Sequence, residues 1–112
     1  MRRVILESPY AAETEAEVAE HVAYARLCVR DALVRGEAPF ASHLLYTQPG
    51  VLSDAVQVER ETGMEAGWAW MVGAQACVVY LDRGVSAGMA AGMERAKKLG
   101  LLIERRSLYE TT

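Results

Sequence analysis

Residues 76–92 read ACVVYLDRGVSAGMAAG. The first six form a continuous apolar run without polar alternation, as expected of a strand covered on both faces. The "DRGVS" stretch (82–86) then turns the chain. From Ser86 the residues become small and helix-compatible, with Ser86 placed to cap a helix that runs to about Leu99. Gly100 is its expected stop. One buried strand, one short turn and one returning helix are the unit of a parallel α/β sheet, and the rest of the chain repeats that alternation.

Working outward, "RRVILE" (2–7) reads as a short buried strand ended by the Ser8-Pro9 turn signal. Thr14 and Glu17 make a capping-box pattern opening a first helix. Val18, Val22, Ala25, Val29 and Leu33 recur at helical spacing as its apolar face, and Gly36 supplies a left-handed stop. "PFASHLLY" (39–46) reads as a second strand and "TQPGVLS" as a loop. Asp54 and Gln57 repeat the capping-box pattern and open a second helix through about Val72. "LLIERR" (101–106) closes the series, and the tail "SLYETT" carries no element. The order β-α-β-α-β-α-β predicts an α/β fold over 1–112 as a single domain. It is a three-layer α/β/α sandwich with a small four-stranded parallel sheet, right-handed crossovers and strand order 2-1-3-4.

The chain has 112 residues, 52% hydrophobic and 24% charged, with a formal net charge of −3. These values suit a globular core. No cluster of basic and aromatic residues exists to neutralise a phosphate backbone, which argues against nucleic acid as a partner. No signal peptide fits the start and no window reaches the ~20 apolar residues of a membrane span. Cys28 and Cys77 fall within apolar patterns and read as reduced, buried thiols of a cytoplasmic protein. His21 and His43 show no zinc-ligand spacing, and no metal or cofactor is implied.

In an open parallel sheet a ligand sits beyond the carboxyl ends of the strands, where strand order reverses. Order 2-1-3-4 puts that point between strands 1 and 3, at the loops "ESPYA" (7–11) and "DRGVSAG" (82–88). Capping by Ser86 leaves the amides of Ala87 and Gly88 facing outward, an arrangement suited to an anion or to nothing more than a capped helix. Gly84 and Gly88 permit close approach of a ligand, and Arg83 offers charge or is solvated. There is no P-loop and no G-x-G-x-x-G fingerprint. Asp82 could meet a ribose hydroxyl or pair with Arg83. Glu7, at the end of a buried strand, has a raised pKa if desolvated and an ordinary one if solvent-facing. Ser8 and Tyr10 share that loop; Tyr10 stacks on a base or packs in the core. His43 is an acid/base candidate or a structural histidine. Asp54, Glu59 and Glu61 start near the crevice, where acids also favour the helix dipole. Gly63/Gly67 and Gly88/Gly92 suit close helix packing. Of Trp68 and Trp70, on different helix faces, one belongs to the core and one to a subunit interface.

"VILESPYA" and "ACVVYLDRGVSAGMAAGMERAKKLGLLIE" together resemble the nucleoside 2-deoxyribosyltransferase-like group, which includes deoxynucleoside monophosphate N-glycosidases and many phage and bacterial proteins. "GEAPFASHLLYTQPGVLSDA" resembles a branch of that group of unknown function. In such enzymes the third helix carries D-x-G-T-x-x-E-x-G-x-A or S-x-G-A-x-x-E-x-x-x-A, and the glutamate attacks the anomeric carbon. Asp82, Gly84, Ser86, Gly88 and Ala96 fall into that register, but Gly92 stands where the glutamate belongs. Glu94 lies about 200° around the helix from it. The group's second carboxylate would fall at Trp68, with Glu61 and Glu65 nearby and out of register.

The resemblance implies a nucleotide-handling protein that cleaves or transfers at the N-glycosidic bond of a (deoxy)nucleoside monophosphate or related ribosyl phosphate. Glu7, His43 or Glu61 would replace the missing glutamate. Ser8, Tyr10, Asp82, Arg83, Gly84, Ser86 and Gly88 would hold the ligand. The alternatives are a binding or sequestering protein that uses the same crevice without turnover, and a structural or interaction protein of the same fold. A homo-oligomer is expected, because relatives complete their sites across subunits.

Overall fold

The computed structural model describes residues 1–109. Its elements are β1 (Arg2–Glu7), α1 (Glu15–Val34), β2 (Glu37–Phe40), α2 (Ser42–Leu45), α3 (Gln57–Ala69), β3 (Ala76–Tyr80), α4 (Ala87–Lys98) and β4 (Leu102–Arg106). The four strands are all parallel in the order β2-β1-β3-β4, as the alternation of elements predicts. Only residues 107–109 of the "SLYETT" tail fall among those described. Among the described residues no helix is long and apolar enough to cross a membrane.

Alternation along the central strands sorts the core into two layers. Val4 and Leu6 of β1 join Ala76, Val78 and Tyr80 of β3 against Tyr24, Cys28 and Ala32 of α1. Ile5, Cys77 and Val79 face the other way, onto Met71, Met89, Ala96 and Trp68. All five residues of β3 are buried, which is why that segment reads as one apolar run. The caps expected of α1 and α4 are present. The Glu17 amide donates to Thr14 Oγ1 at 3.1 Å, and the Met89 amide to Ser86 Oγ at 3.2 Å. Gly36 and Gly100 follow their helices with φ of 83° and 75°, the left-handed conformation that favours glycine.

Three local expectations are corrected. "PFASHLLY" is not one strand: β2 ends at Phe40, and Ser42–Leu45 form the single turn α2. β2 lies at the sheet edge, where Pro39 is tolerated, and a short apolar run does not distinguish strand from helix. Asp54 does not cap α3, which begins at Gln57 without a side-chain cap. Asp54 instead faces Arg60 at 4.0 Å, while Glu59 Oε1 accepts from the Ser53 amide at 3.0 Å. On α1 the buried stripe is Tyr24, Ala25, Cys28 and Ala32, and Leu33 is exposed. Tyr24 turns inward because its hydroxyl finds a partner in Asp82, 2.5 Å away.

The same sheet face is also closed by ion pairs. Arg106 donates to both carboxylate oxygens of Glu37, at 2.7 and 2.6 Å, and also to Glu104 at 2.7 Å. Arg2 donates to Glu37 at 2.6 Å and to Glu104 at 2.9 Å. Tyr80 donates to Asp31 at 2.7 Å and accepts from Arg106 at 3.2 Å. These bonds, led by those from Arg106 to Glu37 and from Arg2 to Glu104, hold both carboxyls below the usual range, Glu104 at about 2.

Candidate active site

At the carboxyl ends of β1 and β3 lies a cavity of about 350 Å³, walled by α2, α3, the first turn of α4 and the loop after β1. This is the switch point that the strand order anticipates. One face of α3 supplies a stripe at helical spacing, Arg60, Gly63, Met64, Gly67 and Trp68, which Met71 continues just past the helix end. Gly67 is required for closeness: a Cβ there would stand 2.7 Å from Ser42 Oγ. Its absence lets α2 press on α3 and hang His43 over the cavity. Thr47 Oγ1 bonds the His43 carbonyl at 2.7 Å and holds that turn.

Glu7 enters from the end of β1 and points toward α4. Its carboxyl packs directly on Gly92: a Cβ built there would lie 2.7 Å from Glu7 Cδ and 2.9 Å from Oε1, and closer still to Oε2. No ion pair or side-chain hydrogen bond of Glu7 offsets that burial among the described residues, and desolvation pushes its pKa up to about 8. On the neighbouring wall, Ser8 Oγ and His43 Nε2 lie 2.7 Å apart. Burial pulls His43 down to about 4, leaving a neutral imidazole at physiological pH. The loop that carries these groups is tied back by His21, whose Nδ1 donates to the Tyr10 carbonyl at 3.0 Å.

Glu7, Ser8, Tyr10, His43, Ser86 and Gly88 therefore share one cavity. Asp82, Arg83, Gly84 and Glu61 do not line it. The Asp82 carboxylate is occupied by Tyr24, Ser107 and the Leu108 amide. Burial opposes its ionisation, but those bonds hold it down at about 2. Arg83 leans over the Tyr24 ring and faces Glu20 at 3.5 Å. Gly84 makes the turn, with φ of 80°. Glu61 is exposed and accepts from Gln57 at 3.1 Å.

The sequence reading gave the stripe on α3 no ligand role and did not single out Arg60, Met64 or Met71, although the spacing from Arg60 to Met71 carries that signal. Trp68 lies partly buried against the core layer of Ile5, Cys77 and Val79, with Arg95 over its ring. Trp70 is 59% exposed, beside Phe40 and bonded to Tyr46 Oη at 2.9 Å.

The architecture is that of a 2-deoxyribosyltransferase fold. The solved structure of the 2-deoxyribosyltransferase from the psychrotolerant bacterium Bacillus psychrosaccharolyticus aligns with a TM-score of 0.63 at 20% identity, covering 98% of this chain and 76% of that one. Within that fold, residues 2–106 match a domain of unknown function, DUF7768, and the chain belongs to that family. No curated protein matches it.

Proposed function

We propose that this cavity binds a nucleoside or nucleoside monophosphate and that the protein cleaves or transfers at its N-glycosidic bond, with Glu7 as the working carboxyl. The observation that carries this reading is the packing of Glu7 on Gly92. The position expected to bear a glutamate on α4 is empty of side chain, and a carboxyl from β1 fills that space. On this reading the β1 carboxyl stands in for the α4 glutamate that the resemblance would place at residue 92. Below pH 8 Glu7 is largely protonated, so its natural task is to hand a proton to the departing base. Trp68, Met64, Met71 and Met89 offer the apolar surface that a base requires.

The test is a thermal-shift panel of nucleosides and their monophosphates, followed by chromatography of each binder for free base. Release is expected from at least one binder, falling as pH rises through about 8. Glu7→Gln should reduce it by about 100-fold or more. Intact recovery of every compound that binds would overturn this reading. It would favour a binding or sequestering protein, the alternative supported by the missing glutamate at Gly92 itself.

Self-association is part of the same proposal. Trp70, Val72 and Leu45, each more than half exposed, are apolar side chains on and beside the helices that wall the cavity. Light scattering should report a dimer or larger.

A further inference from the structure

Two different kinds of group face the cavity, and they come from different sides. Glu7 lies on the α4 side without an ion pair or side-chain hydrogen bond among the described residues, pressed on Gly92. Ser8 and His43 lie on the α2 side, joined through Oγ and Nε2 at 2.7 Å. A carboxyl acting alone has to serve as nucleophile and acid in turn. A bonded hydroxyl–imidazole pair on the neighbouring wall makes a division of labour available.

We propose that Ser8 and His43 form a proton relay that activates the attacking hydroxyl, so that the bond is cleaved by a single displacement with no glycosyl–enzyme intermediate. This rests on the N-glycosidic reading above. Water, or the hydroxyl of an acceptor, donates to Ser8 Oγ while Ser8 donates to His43 Nε2. The attacking oxygen forms its bond to the anomeric carbon, and its proton passes to Ser8 as the Ser8 proton passes to His43. The C–N bond breaks with its electron pair going to the base, whose nitrogen takes the Glu7 proton. Imidazolium and carboxylate remain, and one proton returns through solvent to reset the site. Ser8 is thus the group that touches the reactant, and His43 is a positioning residue acting through it.

The protonation states favour this direction. Between about pH 4 and 8 burial keeps His43 neutral and Glu7 a proton donor, and the relay uses the His43 tautomer whose proton is on Nδ1, so that Nε2 accepts from Ser8. The other titratable groups facing the cavity from its walls are Tyr10, Tyr46, Asp54, Glu59 and Arg60. Behind Glu7 stands Cys77, whose thiol burial pushes up to about 12 and keeps neutral. Asp54 faces Arg60, and Glu59 accepts from the Ser53 amide, so neither acid is a free competitor for the relay.

Stereochemistry gives the test, because a single displacement inverts the anomeric carbon and a double displacement retains it. Full-length protein is given a β-nucleoside that it cleaves, with methanol as acceptor, and the methyl glycoside is resolved by NMR. The α-anomer is expected. Activity should be bell-shaped between about pH 4 and 8, and His43→Asn should flatten the acid limb. Ser8→Ala and His43→Asn should each lower kcat by about 100-fold with KM little changed.

A β-methyl glycoside, a glycosyl adduct on Glu7 by intact mass, or His43→Asn activity within about threefold of wild type would overturn the relay. Should His43→Asn fail to fold, the configuration of the wild-type product decides alone. If wild-type protein releases no base from any nucleoside or nucleotide it binds, the proposed function itself fails, an outcome distinct from cleavage with retention.

Discussion

Glu37 is buried and Glu7 half-buried, and the two acids have opposite surroundings. Glu37 sits among Arg2 and Arg106 with its oxygens bonded at 2.6 to 2.7 Å, and its pKa is driven down. Glu7, one strand away, has no such partner among the described residues, lies against a glycine, and is driven up to about 8. Both lose water on folding. Glu37 recovers that loss from its cations and serves to close the sheet. Glu7 does not recover it, and a group held at such a disadvantage beside a cavity is a candidate for chemistry. The contrast separates acids that hold the fold from acids that are available to a ligand.

The strongest way to break the contrast is Glu7→Gln. Activity is expected to fall by about 100-fold or more, measured as base release, while the protein becomes more stable. The sign follows from linkage. The folded pKa of about 8 lies above the ordinary value of 4.5, so folding favours the protonated form. Stability is complete below about pH 4.5 and erodes as pH rises to about 8. Removing the titration should recover about 1–3 kcal/mol at pH 8, after discounting for partial solvent access. Urea titrations at pH 5 and 8 check this, and a loss of stability at both would remove Glu7 from its special place.

The reverse change is to strip Glu37 of its partner. Arg106→Met leaves a buried carboxylate with one cation fewer, at an expected cost of about 3–5 kcal/mol by urea denaturation. A third experiment probes the contact between β1 and α4. Gly92→Ala should destabilise by about 1–3 kcal/mol because the added methyl meets the Glu7 carboxyl, and Glu7→Ala in the same chain should relieve most of it. A double-mutant cycle without coupling would mean that the two do not touch.

The smallest effect belongs to Glu104. Its folded pKa of about 2 lies below 4.5, so its contribution is present above about pH 4.5 and is lost as pH falls toward 2. Its side chain is 30% exposed, so Glu104→Gln should remove about 1 kcal/mol of that acid-side dependence.

The parts of this molecule legible in the sequence are those set by near neighbours. Continuous apolar strands, the Thr14 and Ser86 caps and the Gly36 and Gly100 stops are local patterns, and from them the sheet order followed. The position of the cavity followed in turn from that order. What escaped was settled at long range. The Glu7–Gly92 contact joins β1 to α4, and neither residue signals the other along the chain. Asp82 fell into the register expected of a ligand residue, yet Tyr24 on α1 and Ser107 and Leu108 after β4 claim it from two other places. α2 was hidden because its apolar residues are too few to set a period, and what holds it is the missing Cβ of Gly67 across the site.

Gly92 also bears on how such a chain can change. Placing a glutamate on α4 in a single substitution would drive a side chain into the Glu7 carboxyl, while truncating Glu7 first would leave the cavity with no carboxyl at that spot. Under the proposed function, either order passes through an impaired form. Exchanging one carboxyl for the other then calls for two codons, distant in the gene, to change together.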